Sequence, residues 1–369
     1  MNILHIYKDY HPVMGGIENH LRWLAEAQAA RGHRVSVLVT NPSGMETTIQ
    51  EEHGVRVIRA ARIATVASTP ISFSLPAVLF RENPDIVHLH FPYPVGELSQ
   101  WLFRRGRASV MTYHSDIVRQ ASFLRLYGPF LRRILHQVDR ILPTSEPYIQ
   151  SSPWLRPVAH KCTVVPLAIH VDRFQKAMPQ QVASIHRRFP QPLLLFVGRL
   201  RYYKGLDYLI RAMRNIDATL IIIGGGPEAA RLGALSYELG VAHKVHFLGD
   251  ISDDLLPAYY QAADIFILPS SHRSEAFGIV LLEAMAAGLP LITTELGTGT
   301  SWVNQDGVTG LVAPPRNVDA LAAAIKQLLH DDEMRRAMGA RALARARAEF
   351  DLPVLVERVT AVYERVLNT

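Results

Sequence analysis

The chain has 369 residues, and at roughly 150 residues per domain that length points to two domains. Its 49% hydrophobic and 20% charged residues exclude a disordered chain, no run approaches the roughly 18 apolar residues that span a bilayer, and the lone cysteine, Cys162, excludes an intrachain disulfide or a cysteine-held metal cluster. The net charge of +6 lies in the first half, where residues 1–185 carry 20 Lys and Arg against 13 Asp and Glu, while residues 186–369 carry 19 against 20.

An apolar run, Ile3–Tyr7, opens the chain as a strand, with no signal segment before it. An amphipathic helix is expected from Ile17 to Ala30, closed by Gly32, and the strand Val35–Thr40 completes a right-handed βαβ unit. Further strands are predicted at Asp85–His90, Ser109–Tyr113, Arg140–Pro143 and Lys161–Val165, mostly separated by helical patterns, which argues for a doubly wound parallel sheet. From Pro166 to Pro192 the alternation breaks, and an interdomain linker is placed there. Strands then resume at Leu193–Val197, Thr219–Ile223, Val245–Leu248, Ile265–Leu268 and Leu291–Thr293, with helices from Asn317 onward. The pattern is α/β: two Rossmann-like domains over 1–174 and 175–350, and a last helix, within 351–369, that crosses back to the first domain. Cys162 reads as a small buried hydrophobe, and the cysteine usage fits a reducing cytoplasm.

In such a sheet ligands bind just beyond the carboxyl ends of the strands. After the first strand, Gly15-Gly16 opens a helix, which suits either a tight turn or contact with a phosphate. After Val197 come Gly198-Arg199-Leu200 and Lys204-Gly205, two cations suited to a diphosphate or simply to solvent. The segment Ser270–Gly288 weighs in favour of the diphosphate. Its predicted helix begins at Ile279, so the N–H groups of Phe277, Gly278, Ile279 and Val280 favour an anion, and Glu283, about a turn and a half inside, can reach a ribose diol. Taken singly, Glu275 reads as a dipole-stabilising acid and Glu283 as a solvated residue. Together, with Phe277-Gly278 between them, they favour a bound nucleotide sugar.

Glu275-x-Phe277-Gly278-x-x-x-x-Glu283, with Gly198-Arg199-Leu200, Lys204-Gly205 and Gly15-Gly16, resembles the retaining family 4 glycosyltransferases, whose GT-B fold is two Rossmann-like domains facing a cleft. The resemblance implies that Glu283 binds the donor ribose, Glu275 the donor sugar, and Arg199 and Lys204 the diphosphate, with Gly16 meeting the diphosphate from the opposite domain. It also sets backbone at Gly225 and Ile251 against the base and His114 near the transferring sugar. His114-Ser115-Asp116 departs from the family's His-Asp, and His170 stands where the family usually has Asp. The resemblance implies front-face attack, and the sequence identifies no carboxylate nucleophile for a double displacement. No D-x-D and no His/Cys cluster with metal spacing occurs, so no metal and no cofactor is expected, only the substrate nucleotide sugar.

The stretch Thr294–Ser301 resembles mannosyl- and rhamnosyl-type polysaccharide enzymes, which favours a GDP-sugar over a UDP-sugar. Eight arginines between 101 and 140, opposed by Asp116 and Asp139, form a basic patch. Within it Arg119–Arg133 interleaves cations with aromatic and aliphatic residues, as suits an anionic membrane surface or a helix packed on its own domain, and Gly128-Pro129 is expected to interrupt it. The acceptor is then a glycan or lipid-linked glycan, the enzyme is cytoplasmic and peripheral on the inner face of the membrane, and no nucleic acid is a partner. A UDP-sugar transferase and a silent nucleotide-sugar-binding subunit are the alternatives, although Glu275, Lys204 and His114 are all retained. An oxidoreductase should show G-x-G-x-x-G after the first strand and an acid after the second, where Asn41-Pro42 stands.

Overall fold

The computed structural model describes residues 1–13, 15–42, 44–66, 69–117 and 121–368, with 121–126 described as backbone. Two compact units emerge: Met1–Leu167 together with Leu352–Thr369, and Ala168–Asp351.

The first unit contains β1 (Asn2–Ile6), β2 (Arg34–Thr40), β3 (Thr48–Glu52), β4 (Val55–Ala60), the short pair β5 (Ala64–Val66) and β6 (Thr69–Ile71), β7 (Ile86–Phe91), β8 (Ala108–Tyr113) and β9 (Arg140–Pro143). Seven form one sheet in the order β3-β4-β2-β1-β7-β8-β9, parallel except for β3. The central strands β7 and β8 are buried at every position, as expected of parallel strands covered on both faces. The strand order reverses between β1 and β7. The helix Gly16–Ala30 lays His20, Leu21, Leu24, Ala25 and Gln28 onto one stripe at helical spacing, and the final helix Leu352–Leu367 buries Leu355, Val356, Val359, Val362 and Tyr363 beside it.

In the second unit β10 (Leu193–Val197), β11 (Thr219–Ile223), β12 (Val245–Gly249), β13 (Ile265–Leu268), β14 (Leu291–Thr294) and β15 (Gly310–Ala313) form an all-parallel sheet ordered β12-β11-β10-β13-β14-β15. This is a doubly wound order whose switch point lies between β10 and β13.

Several expectations are corrected. Lys161–Val165 is no strand: residues 156–161 form a 3₁₀ turn, although Thr163 and Val165 N–H still bond to Ile141 and Pro143 carbonyls. The stretch read as a linker contains the helices Val171–Gln175 and Pro179–Arg188. The division between units falls after Leu167 rather than at 174, since Ile169 N–H bonds to the Phe350 carbonyl and Val171 N–H to Asp351. Gly128-Pro129 does not interrupt the helix Ala121–Gln137. Its buried stripe of Leu131, Ile134 and Leu135 outweighs the one N–H that Pro129 lacks.

Candidate active site

In the second unit, the loop after β10 must pass close to the end of β13, and Gly205 permits it. Its φ is +68°, and a Cβ there would lie 2.0 Å from the Pro269 carbonyl oxygen. Ser271 N–H bonds to the Tyr203 carbonyl at 2.8 Å, tying the two strand ends together. Lys204 is thereby delivered against Glu275, Nζ to Oε2 2.6 Å, with the two residues only 8% and 7% exposed. The buried Ser270 hydroxyl donates to the same oxygen at 3.1 Å, while Thr298 Oγ1 donates to the Glu275 carbonyl at 2.8 Å. Both side-chain bonds fall on Oε2, which leaves Oε1 as an acceptor for a ligand hydroxyl.

Gly278, at φ +84°, caps the helix Ile279–Ala286, and a Cβ there would meet Leu268 at 2.9 Å. Phe277 is buried beneath it, and Ile279 and Val280, half-buried in the first turn, have N–H groups with no intrahelical acceptor. Glu283 accepts from the Tyr260 hydroxyl at 2.7 Å, and burial raises its pKa above the ordinary carboxylate value although that bond opposes the rise. Arg199 is exposed on the loop after β10 and takes no part in the Lys204–Glu275 pair. Gly225 has both backbone groups engaged, its N–H by Asp250 at 2.8 Å and its carbonyl by Leu200 N–H at 2.9 Å. That leaves the carbonyl's second lone pair for a base. Ile251 is half-buried beyond β12.

In the first unit, Gly15 precedes the helix and Gly16 begins it, exposed. Met14 lies outside the described residues. The Glu18 carboxylate folds back on its own N–H and lies where a Cβ on Gly15 would stand, 2.2 Å away, so a carboxylate already sits over this helix start. Burial raises its pKa. Asp116 accepts from Tyr113 and Ser152 hydroxyls at 2.8 and 2.7 Å, a structural role. His170 is exposed and precedes a short helix. Cys162 is half-buried, with its thiol pushed up to about 12 by burial. Arg119 lies outside the described residues, and nothing is described of the Arg125 side chain. Arg132 and Arg133 are exposed, whereas Arg105 and Arg107 are tied to the Glu82 carbonyl and the Asp85 carboxylate.

His114 follows β8 and is 4% exposed. It stands at the end of a histidine cluster that sequence spacing did not reveal: His5 on β1, His88 and His90 on β7, and His20 on the covering helix, all buried. The readable signal was His88-x-His90, which puts both rings on one face of a strand. Register then sets His5 opposite His88 and His90 opposite Thr112. Burial lowers every ring's pKa, His5 to about 4 and His20 to about 3, so all five are neutral near pH 7.

Residues 14–173 match the family model described as Glycosyltransferase Family 4, and residues 180–345 the one described as Glycosyl transferases group 1. The chain is 38% identical to the D-rhamnosyltransferase WbpZ of Pseudomonas aeruginosa, over 95% of this chain and 92% of that protein. It is 34% identical to the O-antigen chain mannosyltransferase C of Escherichia coli over the full length of both. Among solved structures, sucrose-phosphate synthase from Thermosynechococcus elongatus superposes with a TM-score of 0.80 at 25% identity, covering 99% of each chain. With two Rossmann-like units of the GT-B type and matches across both, the chain belongs to the family 4, group 1 glycosyltransferases.

Proposed function

We propose that the chain is a retaining, metal-independent transferase that moves a hexosyl group of the mannosyl class from a GDP-sugar to a glycan or lipid-linked glycan. The observation that carries this reading is the buried Lys204–Glu275 pair at the β10/β13 switch point, with Oε1 of Glu275 open to a sugar hydroxyl. Lys204 and the exposed Arg199 supply positive charge for the diphosphate as the sugar bond breaks, and the first turn at Ile279 and Val280 adds N–H donors. Glu283, fixed by Tyr260, holds the ribose, and Gly225 and Ile251 flank the base. His114 and Gly16 act from the first unit, which handles the acceptor. Attack proceeds on the face the leaving phosphate vacates, with that phosphate taking the acceptor's proton, and trapping of a covalent glycosyl-enzyme would contradict it. The named activities of the rhamnosyl- and mannosyltransferase relatives support the mannosyl class and, with it, GDP over UDP.

A membrane-facing role is carried by Arg132 and Arg133, exposed on the helix Ala121–Gln137; no helix among the described residues is long and apolar enough to cross a membrane. The test of the donor is a thermal-shift panel of GDP, UDP and ADP with their sugars. GDP at 100 times its Kd should stabilise by about 2.7 kcal/mol, and no response to any nucleotide would refute the assignment. A larger shift with UDP would transfer the reading to a UDP-sugar enzyme, and binding without turnover to a silent subunit.

A further inference from the structure

The buried histidines of the first unit form a hydrogen-bonded chain with a direction. Gln28 Oε1 lies 2.7 Å from His5 Nε2, His5 Nδ1 lies 3.1 Å from His90 Nε2, and His90 Nδ1 lies 3.1 Å from His114 Nε2. An amide oxygen only accepts, so His5 carries its proton on Nε2. A neutral imidazole has one N–H, so His5 Nδ1 is bare and His90 Nε2 must donate to it. The same step repeated leaves His90 Nδ1 bare and puts the proton of His114 on Nε2. His114 Nδ1 ends the chain as a lone pair, buried and without a partner among the described residues.

The amide nitrogen faces the other way, towards a second branch. Gln28 Nε2 donates to Tyr363 Oη at 3.4 Å, whose hydroxyl donates to His88 Nδ1 at 2.5 Å, and His88 Nε2 then donates to Thr112 Oγ1 at 2.7 Å. Turning that one amide over would reverse every proton in both branches. His20 packs edge-on to His90 and His114, with both its ring nitrogens unpartnered among the described residues.

A metal ion is the competing occupant, since the trios His5–His88–His90 and His20–His90–His114 bring ligand atoms within 4.8 Å of one another. Yet both ring nitrogens of His90, which the two trios share, already face ring nitrogens at 3.1 Å. Neither trio contains a carboxylate, so a buried divalent charge would stand without a counter-charge.

We propose that Gln28, His5 and His90 are positioning residues that fix the tautomer of His114, so that its Nδ1 is held bare as an acceptor for a hydroxyl. That the hydroxyl belongs to a sugar rests on the function proposed above; the tautomer itself does not.

The experiment is ¹⁵N NMR of the histidine-labelled full chain. Wild type should show His114 with a pyridine-type Nδ1 and a pyrrole-type Nε2. Gln28→Leu, which removes the accepting oxygen, should mix the two forms, whereas Gln28→Glu, which keeps it, should preserve the wild-type pattern. In transfer assays Gln28→Leu should lower kcat by roughly tenfold or more with donor KM little changed, and Gln28→Glu should restore it. A protonated Nδ1 in wild type overturns the proposal, as does a Gln28→Leu spectrum identical to wild type or Zn²⁺ binding that displaces the His90–His114 signals. The wild-type spectrum decides even if a variant fails to fold. If the tautomer responds as stated but His114→Phe transfers sugar at the wild-type rate, the relay stands and the assignment of His114 to the reaction falls.

Discussion

Replacing Lys204 by Met would leave the Glu275 carboxylate 7% exposed with the Ser270 hydroxyl as its remaining side-chain donor. Breaking a buried pair from one side costs about 3–5 kcal/mol, because the surviving charge keeps its desolvation penalty and loses its partner. Glu275→Gln strands the ammonium in the same way. The double variant carries neither charge, and the cost should fall to about 1 kcal/mol. The coupling in the cycle, the two single costs less the double, is then at least about 5 kcal/mol, equivalent to roughly 5000-fold in an opening equilibrium. Because the chain has two units, global unfolding is not a clean readout, and native-state hydrogen exchange of the β10 and β13 amides measures the local effect. Single-variant losses that simply add in the double variant, within about 0.5 kcal/mol, would show that the pair is not a mutually dependent buried unit.

The histidine cluster should make the first unit acid-labile. Unfolded histidines titrate near 6.5 while His5 waits until about 4 and His20 until about 3, so the unfolded chain binds more protons across that interval. Stability is full above about 6.5 and falls as pH drops through the interval, with His5 alone contributing about 3 kcal/mol. Glu97, held up to about 7 by burial, works the other way between 4.5 and 7, as does Glu18, whose pKa burial also raises, two groups against five. A urea midpoint for the first unit that stays flat from pH 7 to 4.5 would contradict this. Tyr260→Phe should destabilise the second unit by about 1.5–3 kcal/mol and raise the Glu283 pKa further, as read by carboxyl ¹³C NMR; an unmoved titration would discount the bond. Transfer should persist in excess EDTA, and its complete loss would overturn metal independence. Reversing the charge of Arg132 and Arg133 should weaken binding to anionic vesicles, and unchanged binding would remove the membrane role.

The motifs at the strand ends of the second unit were legible because their chemistry is written locally: Lys204-Gly205 and Glu275-x-Phe277-Gly278 each sit within one loop. What the sequence did not disclose is that Gly205 is there because a Cβ would stand 2.0 Å from the Pro269 carbonyl oxygen, or that Ser270, Thr298 and Tyr260 hold the two glutamates. Those partners come from other strand ends and helices and acquire meaning only through register. The histidine cluster was hidden for the same reason, since its five members come from four segments that the sheet order brings together. Strands β3 and β4 and the edge strand β15 also went unread. Of these, β3 is half exposed and carries Gln50, Glu51 and Glu52, a composition that reads as loop. Lys161–Val165 reads as a strand by composition, but only single backbone bonds to β9 form there.

The last helix gives the first unit an unusual timetable. Leu352–Leu367 supplies Tyr363 to the amide that orders the histidines and covers the helix Gly16–Ala30, yet the ribosome makes it only after the second unit. During synthesis the first 167 residues must therefore wait, with an apolar stripe uncovered, until the second unit has been made. A chain truncated before Leu352 would be expected to aggregate through that stripe rather than yield a free first unit, so a nascent or clipped molecule is marked as incomplete by its own stickiness.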